Sequence, residues 1–84
     1  PNMIEHLRFS SEFLLLEVKA PSVFWGKTMV ELDIRKKYNV NVVGIKKEDQ
    51  SFRPNLSADT LIEKGDVLLV ITDNKTADYL ENLK

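Results

Sequence analysis

Residues 25–45 read WGKTMVELDIRKKYNVNVVGI, and the parsing of this stretch decides the fold. Thr28-Met29-Val30-Glu31 has the form of a capping box: the Thr28 hydroxyl accepts from the backbone N–H of Glu31, and the Glu31 carboxylate reaches back to the Thr28 amide. A helix therefore begins near Met29. On a continuous helix its apolar residues form two stripes, Met29/Leu32 and Val30/Ile34/Tyr38, about 170° apart around the axis. One stripe covers the domain's own sheet and leaves the other for a second surface, a homodimer partner or a loop folded over the helix. Arg35, Lys36 and Lys37 place positive charge at the helix C-terminus, where each meets the negative end of the macrodipole for about 0.3 to 1 kcal/mol and needs no ligand. Asn39 suits a left-handed C-terminal position. Val40 to Ile45 reads as a strand, with Asn41, Val43 and Ile45 on one face and Val40 and Val42 on the other. Asp33, Arg35 and Asn41 thus bring polar groups near Ile34, Tyr38 and Val40, a mixture suited to a small anionic ligand with an apolar body.

Upstream, Met3, Ile4 and Leu7 fall at helical spacing and predict a short amphipathic turn or the tail of a longer helix. Phe13 to Val18 is so apolar, between Ser10-Ser11 and Ala20-Pro21-Ser22, that it reads as a strand buried on both faces. Downstream, Lys46 to Ser51 is a charged hairpin connection into a short strand at Phe52-Arg53, which Pro54 ends or confines to an edge. Asn55 to Asp59 is a loop. Leu61 and Ile62 return to the core, Lys64-Gly65-Asp66 turns the chain, and Val67 to Ile71 is a second strongly apolar strand. Asp73 or Asn74 caps a closing helix that lines one face with Ala77, Leu80 and Leu83.

With 84 residues, the chain is one domain that buries only about 60 to 65% of its unfolded surface. Hydrophobic residues make up 43% and charged residues 30%, the composition of a folded domain. There is no cysteine, so neither disulfides nor thiolate metal sites contribute and stability rests on packing, with or without a partner subunit. The 12 basic and 13 acidic residues nearly cancel and are interspersed, which argues against a nucleic-acid binder working through a basic face. No apolar run reaches the roughly 18 to 20 residues that span a bilayer. Pro1 in place of an initiating methionine suggests a fragment of something longer.

Several chemical motifs dissolve on inspection. Gly26-Lys27-Thr28 matches the end of a phosphate-binding loop, but that pattern requires a glycine where this chain has Pro21, so the helix cap explains Thr28 better. His6 is the only histidine and has no nucleophile fixed beside it. Glu48-Asp49 is a solvated turn, and no ligand set for a transition metal is recognisable. An enzyme is not indicated. For Asp33 and Arg35 the default is a pair of unrelated surface charges, since residues two apart on a helix do not face each other. Arg35 nevertheless has the planar fork suited to a phosphodiester, and Asn41 offers both donor and acceptor.

A buried strand, then GKTMVELDIRKKYNVNVVGIKK, a loop, LIEKGDVLLVIT and a final helix: this order resembles the C-terminal regulatory domain of potassium-transport regulators, the RCK_C or TrkA_C family. The resemblance spans roughly Glu12 to Leu83. It implies an α+β fold, a small sheet of about four strands with helices packed on it, assembled as a two-fold dimer. Ile4-Glu5-His6-Leu7 with Ser10-Ser11-Glu12 resembles the connector of Ktr-type gating subunits, so residues 1–11 are expected to be a connector from a missing nucleotide-binding domain and residues 12–84 the regulatory domain. Such subunits are cytosolic and act on a membrane potassium transporter. In the Ktr branch, the resemblance implies cyclic di-AMP bound between two copies as a ligand rather than a cofactor. By that similarity Arg35 meets phosphate, Asn41 bonds phosphate or adenine, and Asp33 bonds the ligand or holds Arg35. Met29, Val30 and Ile34 contact the bases. Leu56 stands in the apolar wall where relatives often carry proline. A two-fold symmetric dinucleotide matches a two-fold interface, each copy offering the same residues to an equivalent half. The rival readings are a ligand-free dimerisation module and the regulatory domain of a cation/proton antiporter with the same or another ligand.

Overall fold

The computed structural model describes residues 3–84; Pro1 and Asn2, the first residues of the expected connector, lie outside them. Seven strands and three α-helices follow in the order β1 (Met3–Arg8), β2 (Phe13–Lys19), β3 (Lys27–Thr28), α1 (Met29–Leu32), α2 (Ile34–Tyr38), β4 (Asn41–Lys46), β5 (Phe52–Arg53), β6 (Leu61–Ile62), β7 (Val67–Asp73) and α3 (Asn74–Glu81), with a 3-10 turn at Ser22–Phe24. The main sheet is five-stranded and antiparallel in the order β1-β2-β7-β4-β5, and β3 pairs with β6 in a small second sheet. This is the α+β architecture expected from the sequence, with one strand more in the main sheet.

The additional strand is β1. Met3, Ile4 and Leu7 form no helical turn: the segment pairs with β2, Met3 opposite Val18 and Arg8 opposite Leu14, with a bulge between Glu5 and Leu7. Long-range pairing decides the outcome, because a segment this short has no helical stability of its own.

At the centre, β2 and β7 run in register from Phe13 opposite Asp73 to Lys19 opposite Val67. Leu14, Leu16, Val18, Leu68 and Val70 point to one face and are at most 4% exposed; with Phe24, Leu32, Ile34, Val40, Ile45, Ile62, Ala77 and Leu80 they form the core. The opposite face is only half-buried at Leu15, Leu69 and Ile71, and Phe13 is 44% exposed. Burial of β2 on both faces, as its composition suggests, is therefore not achieved within a single chain.

The capping box at Thr28 forms as read: Glu31 N donates to Thr28 Oγ1 at 3.2 Å, and Thr28 N donates to Glu31 Oε1 at 2.9 Å. The helix does not continue. Asp33 adopts the left-handed conformation (φ 48°, ψ 48°) and separates α1 from α2. Its N–H closes α1 on Met29 O at 3.0 Å, while its carbonyl accepts from Lys36 N at 3.1 Å and Lys37 N at 2.8 Å to open α2. This break overturns the two opposed stripes. Leu32 (6% exposed) and Ile34 (3%) both enter the core, and the Tyr38 ring packs tilted against Phe24, centroids 5.4 Å apart, with Tyr79 at 6.1 Å. Of the Val30/Ile34/Tyr38 stripe, only Val30 stays exposed.

Asn39 is left-handed as read (φ 58°) and leads into β4. The simple alternation along β4 fails because the register against β7 shifts between Val42 and Gly44. That bulge lets Val40 and Ile45, nominally on opposite faces, both be buried. Gly44 leaves room for the Phe52 ring; a Cβ there would lie 2.1 Å from Phe52 Cζ. At the far end, Asp73 caps α3 by accepting from Thr76 N at 2.7 Å, a bond that holds its carboxyl below the usual range.

One buried carboxylate ties the loops together. Asp66, 2% exposed, accepts from Glu63 N at 2.9 Å and from Lys47 Nζ at 2.8 Å. Burial works against the Lys47 charge, but its bonds to Asp66 and Glu63 outweigh that and raise its pKa. The hairpin β4–β5 is thereby clasped to the turn that launches β7, which places Gly65 (φ 89°) where its geometry is required.

Candidate functional site

The left-handed residues Asp33 and Asn39 flank α2, so the basic run is displayed on one short turn that ends directly beside β4. Arg35 and Asn41 are both exposed, and Arg35 Nη2 donates to Asn41 Oδ1 at 3.4 Å. That long bond holds the guanidinium and the amide side by side, and an incoming phosphate can replace it at little cost. Lys36 and Lys37 follow on the same turn.

The remaining expected residues are placed less uniformly. Val30 is 62% exposed and Met29 half-buried. Leu56, half-buried, lies in a loop laced to α1 by Met29 N to Thr60 O at 2.9 Å and Val30 N to Ala58 O at 3.0 Å. Met29 and Leu56 both lean on the core from outside. Ile34 faces inward. Asp33 is exposed, and no side-chain hydrogen bond of its carboxylate is seen among the described residues; what the structure shows it doing is turning the backbone.

A concavity of about 430 Å³ lies elsewhere, lined by Lys19, Trp25, Glu48, Lys64 and Gly65. There the Trp25 indole donates to Ala20 O at 2.9 Å, with Lys64 Nζ 5.6 Å from the ring centroid. Arg35 and Asn41 are not part of it. They sit on open surface. No group of three or more His, Cys, Asp or Glu suited to a metal ion occurs among the described residues, and no helix there is long and apolar enough to cross a membrane. His6, for which the sequence offers no nucleophile, contacts Glu17 Oε2 at 2.5 Å; that bond first, and Lys46 Nζ at 3.2 Å on the other oxygen, lower the Glu17 pKa against the opposing effect of burial.

The molecule is thus a small antiparallel α+β domain with an arginine–amide pair displayed at a helix–strand junction. The TrkA-C domain model matches residues 13–84, and the chain belongs to the TrkA-C domain family. Among curated relatives it is 37% identical over 70 residues to the Ktr system potassium uptake protein C of Bacillus subtilis (strain 168), covering 83% of this chain and 31% of that protein. It is 32% identical over 78 residues to the K(+)/H(+) antiporter subunit KhtT of the same organism, covering 89% and 47%. The chain thus spans less than half the length of either. Among solved structures, the RCK C domain of the potassium transport protein KtrA in complex with cyclic di-AMP superposes with a TM-score of 0.72 at 28% identity, over 80% of this chain and 78% of that one. The GsuK channel superposes with a TM-score of 0.79 over 96% of this chain and 15% of its own at 20% identity, a likeness of fold alone.

Proposed function

We propose that this chain is a regulatory domain that binds cyclic di-AMP between two copies and thereby controls a potassium transporter from the cytoplasmic side. The observation that carries the reading is the exposed Arg35–Asn41 pair, set in a fold that matches a cyclic di-AMP-bound RCK C domain. Arg35 grips a phosphate through its fork, Asn41 takes the freed position on phosphate or adenine, and Val30, Met29 and Leu56 flank the bases. Asp33 either contacts the ligand through its carboxylate or serves only by orienting α2. Two copies related by a two-fold axis would offer two such grips to a ligand with the same symmetry. The ligand then acts on transport by favouring one dimer geometry over another.

Thermal unfolding against a nucleotide panel tests this. Ligand at a hundredfold excess over Kd stabilises the native state by about 2.7 kcal/mol, a rise on the order of 10 °C in a domain this small. Arg35→Ala should abolish most of the rise and leave the fold intact, since the side chain is exposed. No shift with saturating cyclic di-AMP would refute the proposal. The 32% identity to an antiporter subunit favours a second reading, in which the transporter is a K(+)/H(+) antiporter; co-purification with each class of membrane partner separates the two.

A further inference from the structure

Two polar side chains are buried among the described residues, Asp66 and Thr72, each 2% exposed. Asp66 serves the clasp between the loops. Thr72 continues the inward row of β7 after Leu68 and Val70, at a position where valine has the same β-branched shape and no hydroxyl to take out of water. A hydroxyl there needs a use. Thr72 Oγ1 donates to Asn39 O at 3.3 Å. This is long beside the about 2.7 to 2.8 Å usual for a hydroxyl donor and an oxygen acceptor, so the bond adds little to stability and its location is what distinguishes it. Asn39 is the left-handed residue where the chain leaves α2 for β4, and its N–H in turn donates to Arg35 O at 3.1 Å. Two residues on, Asn41 pairs with Ile71. Consecutive residues of β7 therefore hold the junction, Ile71 through the strand ladder and Thr72 through its side chain.

We infer that Thr72 is a positioning residue for the Arg35–Asn41 pair: its hydroxyl fixes the pivot at Asn39 and so sets the spacing at which the guanidinium and the amide meet a phosphate. The role of the pair in holding a ligand rests on the function proposed above; the positioning itself does not. Arg35 and Asn41 stand on different elements, six residues apart, with Nη2 and Oδ1 3.4 Å from each other. The N-terminal end of α2 is held by Ile34 in the core. Its C-terminal end turns on Asn39, and asparagine is at home in both left- and right-handed backbone, so its own preference does not lock the angle between α2 and β4. A group outside the turn has to do so. Val40, 2% exposed, anchors the start of β4 in the core, which fixes where the strand begins but not the direction of the peptide before it. Binding groups need to be held to within about 0.5 Å by supporting bonds of this kind, and among the described residues no side chain other than Thr72 bonds to Asn39.

Thr72→Val and Thr72→Ser separate positioning from packing. Valine keeps the shape and removes the hydroxyl; Asn39 is exposed, so water takes over its carbonyl, and the melting temperature should stay within about 4 °C of wild type. Serine keeps the hydroxyl and loses a buried methyl, so it should melt at least about 4 °C lower. Calorimetric titration with cyclic di-AMP should give the opposite order, with Kd about five- to tenfold higher in Thr72→Val and within about twofold of wild type in Thr72→Ser. A second readout needs no ligand. In isotope-labelled chain, Arg35→Ala should move the Asn41 side-chain amide resonance in the wild-type and Thr72→Ser backgrounds and leave it in place in Thr72→Val, where the two groups have already parted. Affinity that follows melting temperature, with Thr72→Ser the weaker binder, overturns the inference, as does an unchanged Kd in Thr72→Val. So does an Asn41 resonance that still responds to Arg35→Ala in Thr72→Val, or that never responds in wild type. If wild type does not bind cyclic di-AMP, the ligand reading fails and the resonance alone decides: a response lost only in Thr72→Val upholds the positioning, and a response retained there refutes it.

Discussion

Replacement of Asp33 reads out the break between α1 and α2 through a change of sign. In the structure this residue is left-handed at φ 48°, a conformation that costs an ordinary L-residue about 1 to 2 kcal/mol and glycine nothing. Aspartate tolerates it better than most. Asp33→Gly removes the remaining strain but gives back part of that gain through the extra entropy of glycine in the unfolded chain, so it should leave stability unchanged or raise it by up to about 1 kcal/mol. Asp33→Ala bears the strain in full, offset in part by the smaller entropy of its unfolded chain, and should lie about 0.5 to 1.5 kcal/mol below Asp33→Gly; a β-branched residue should lie lower still. At about 4 to 8 °C per kcal/mol for a domain of this size, Asp33→Gly should melt roughly 2 to 12 °C above Asp33→Ala. Urea denaturation of both variants, with m-values checked for equality, gives the same ordering without heat. On a continuous helix the order inverts, because glycine in a helix interior is about 1 kcal/mol worse than alanine. Asp33→Ala more stable than Asp33→Gly would therefore refute the broken-helix geometry and, with it, the placement of Ile34 in the core. Asp33→Asn keeps the backbone preference and removes the charge, so its affinity for cyclic di-AMP reports separately on the carboxylate.

The other predictions concern the clasp and the acid limb of the stability profile. Asp66→Ala should cost about 2 to 3 kcal/mol, since it leaves Glu63 N without its acceptor and Lys47 with Glu63 alone and the partly exposed Lys47 recovers some hydration; a loss below about 0.5 kcal/mol in denaturant melts would mean that the clasp is ornamental. Glu17, whose folded pKa lies below its ordinary 4.5, binds fewer protons folded than unfolded near that value, so its contribution is present above pH 4.5 and is lost as pH falls through the folded pKa. Glu17→Gln should flatten the acid limb of stability against pH, and an unchanged slope in parallel melts would disprove the His6 and Lys46 pairing.

How much of the molecule is legible in its sequence follows the range of the interactions. Features that act within one turn can be read directly: the Thr28 box, Asn39 as a left-handed terminus, Asp73 as a cap, and Gly65 in its turn. Asp33 cannot, because nothing in Leu-Asp-Ile-Arg signals a break; aspartate is tolerated both inside and outside a helix, and the core's demand for both Leu32 and Ile34 settles the matter. β1 escapes because Met3, Ile4 and Leu7 suit either period over so few residues, and its partner β2 supplies the decision. The bulge at Val42 to Gly44 depends on β7, and the clasp joins Lys47 to Asp66 across an intervening loop. For the site, the Arg35–Asn41 pair is visible as residue types at a spacing, whereas the inward turn of Ile34 requires the break. The apolar run of β2 reads as two buried faces. Its composition supports that reading, but in this chain the face of Leu15 is only half-buried.

The pairing of β2 with β7 also bears on how the protein comes into being. The strands at the heart of the sheet are contributed by positions as far apart as 13 and 73, so the core cannot close until almost all of the described sequence is available. Until then, β2 has only β1 beside it, a lone hairpin of marginal stability, and β4 has only the two residues of β5. Closing a loop of that length adds only about 0.6 kcal/mol per doubling, but it must happen before the contacts that reward it, which slows folding. The last strand therefore acts as a checkpoint during synthesis: a chain interrupted before Val67 displays the apolar residues of both faces of β2 at once, and is a target for chaperones and proteases rather than a partly working domain.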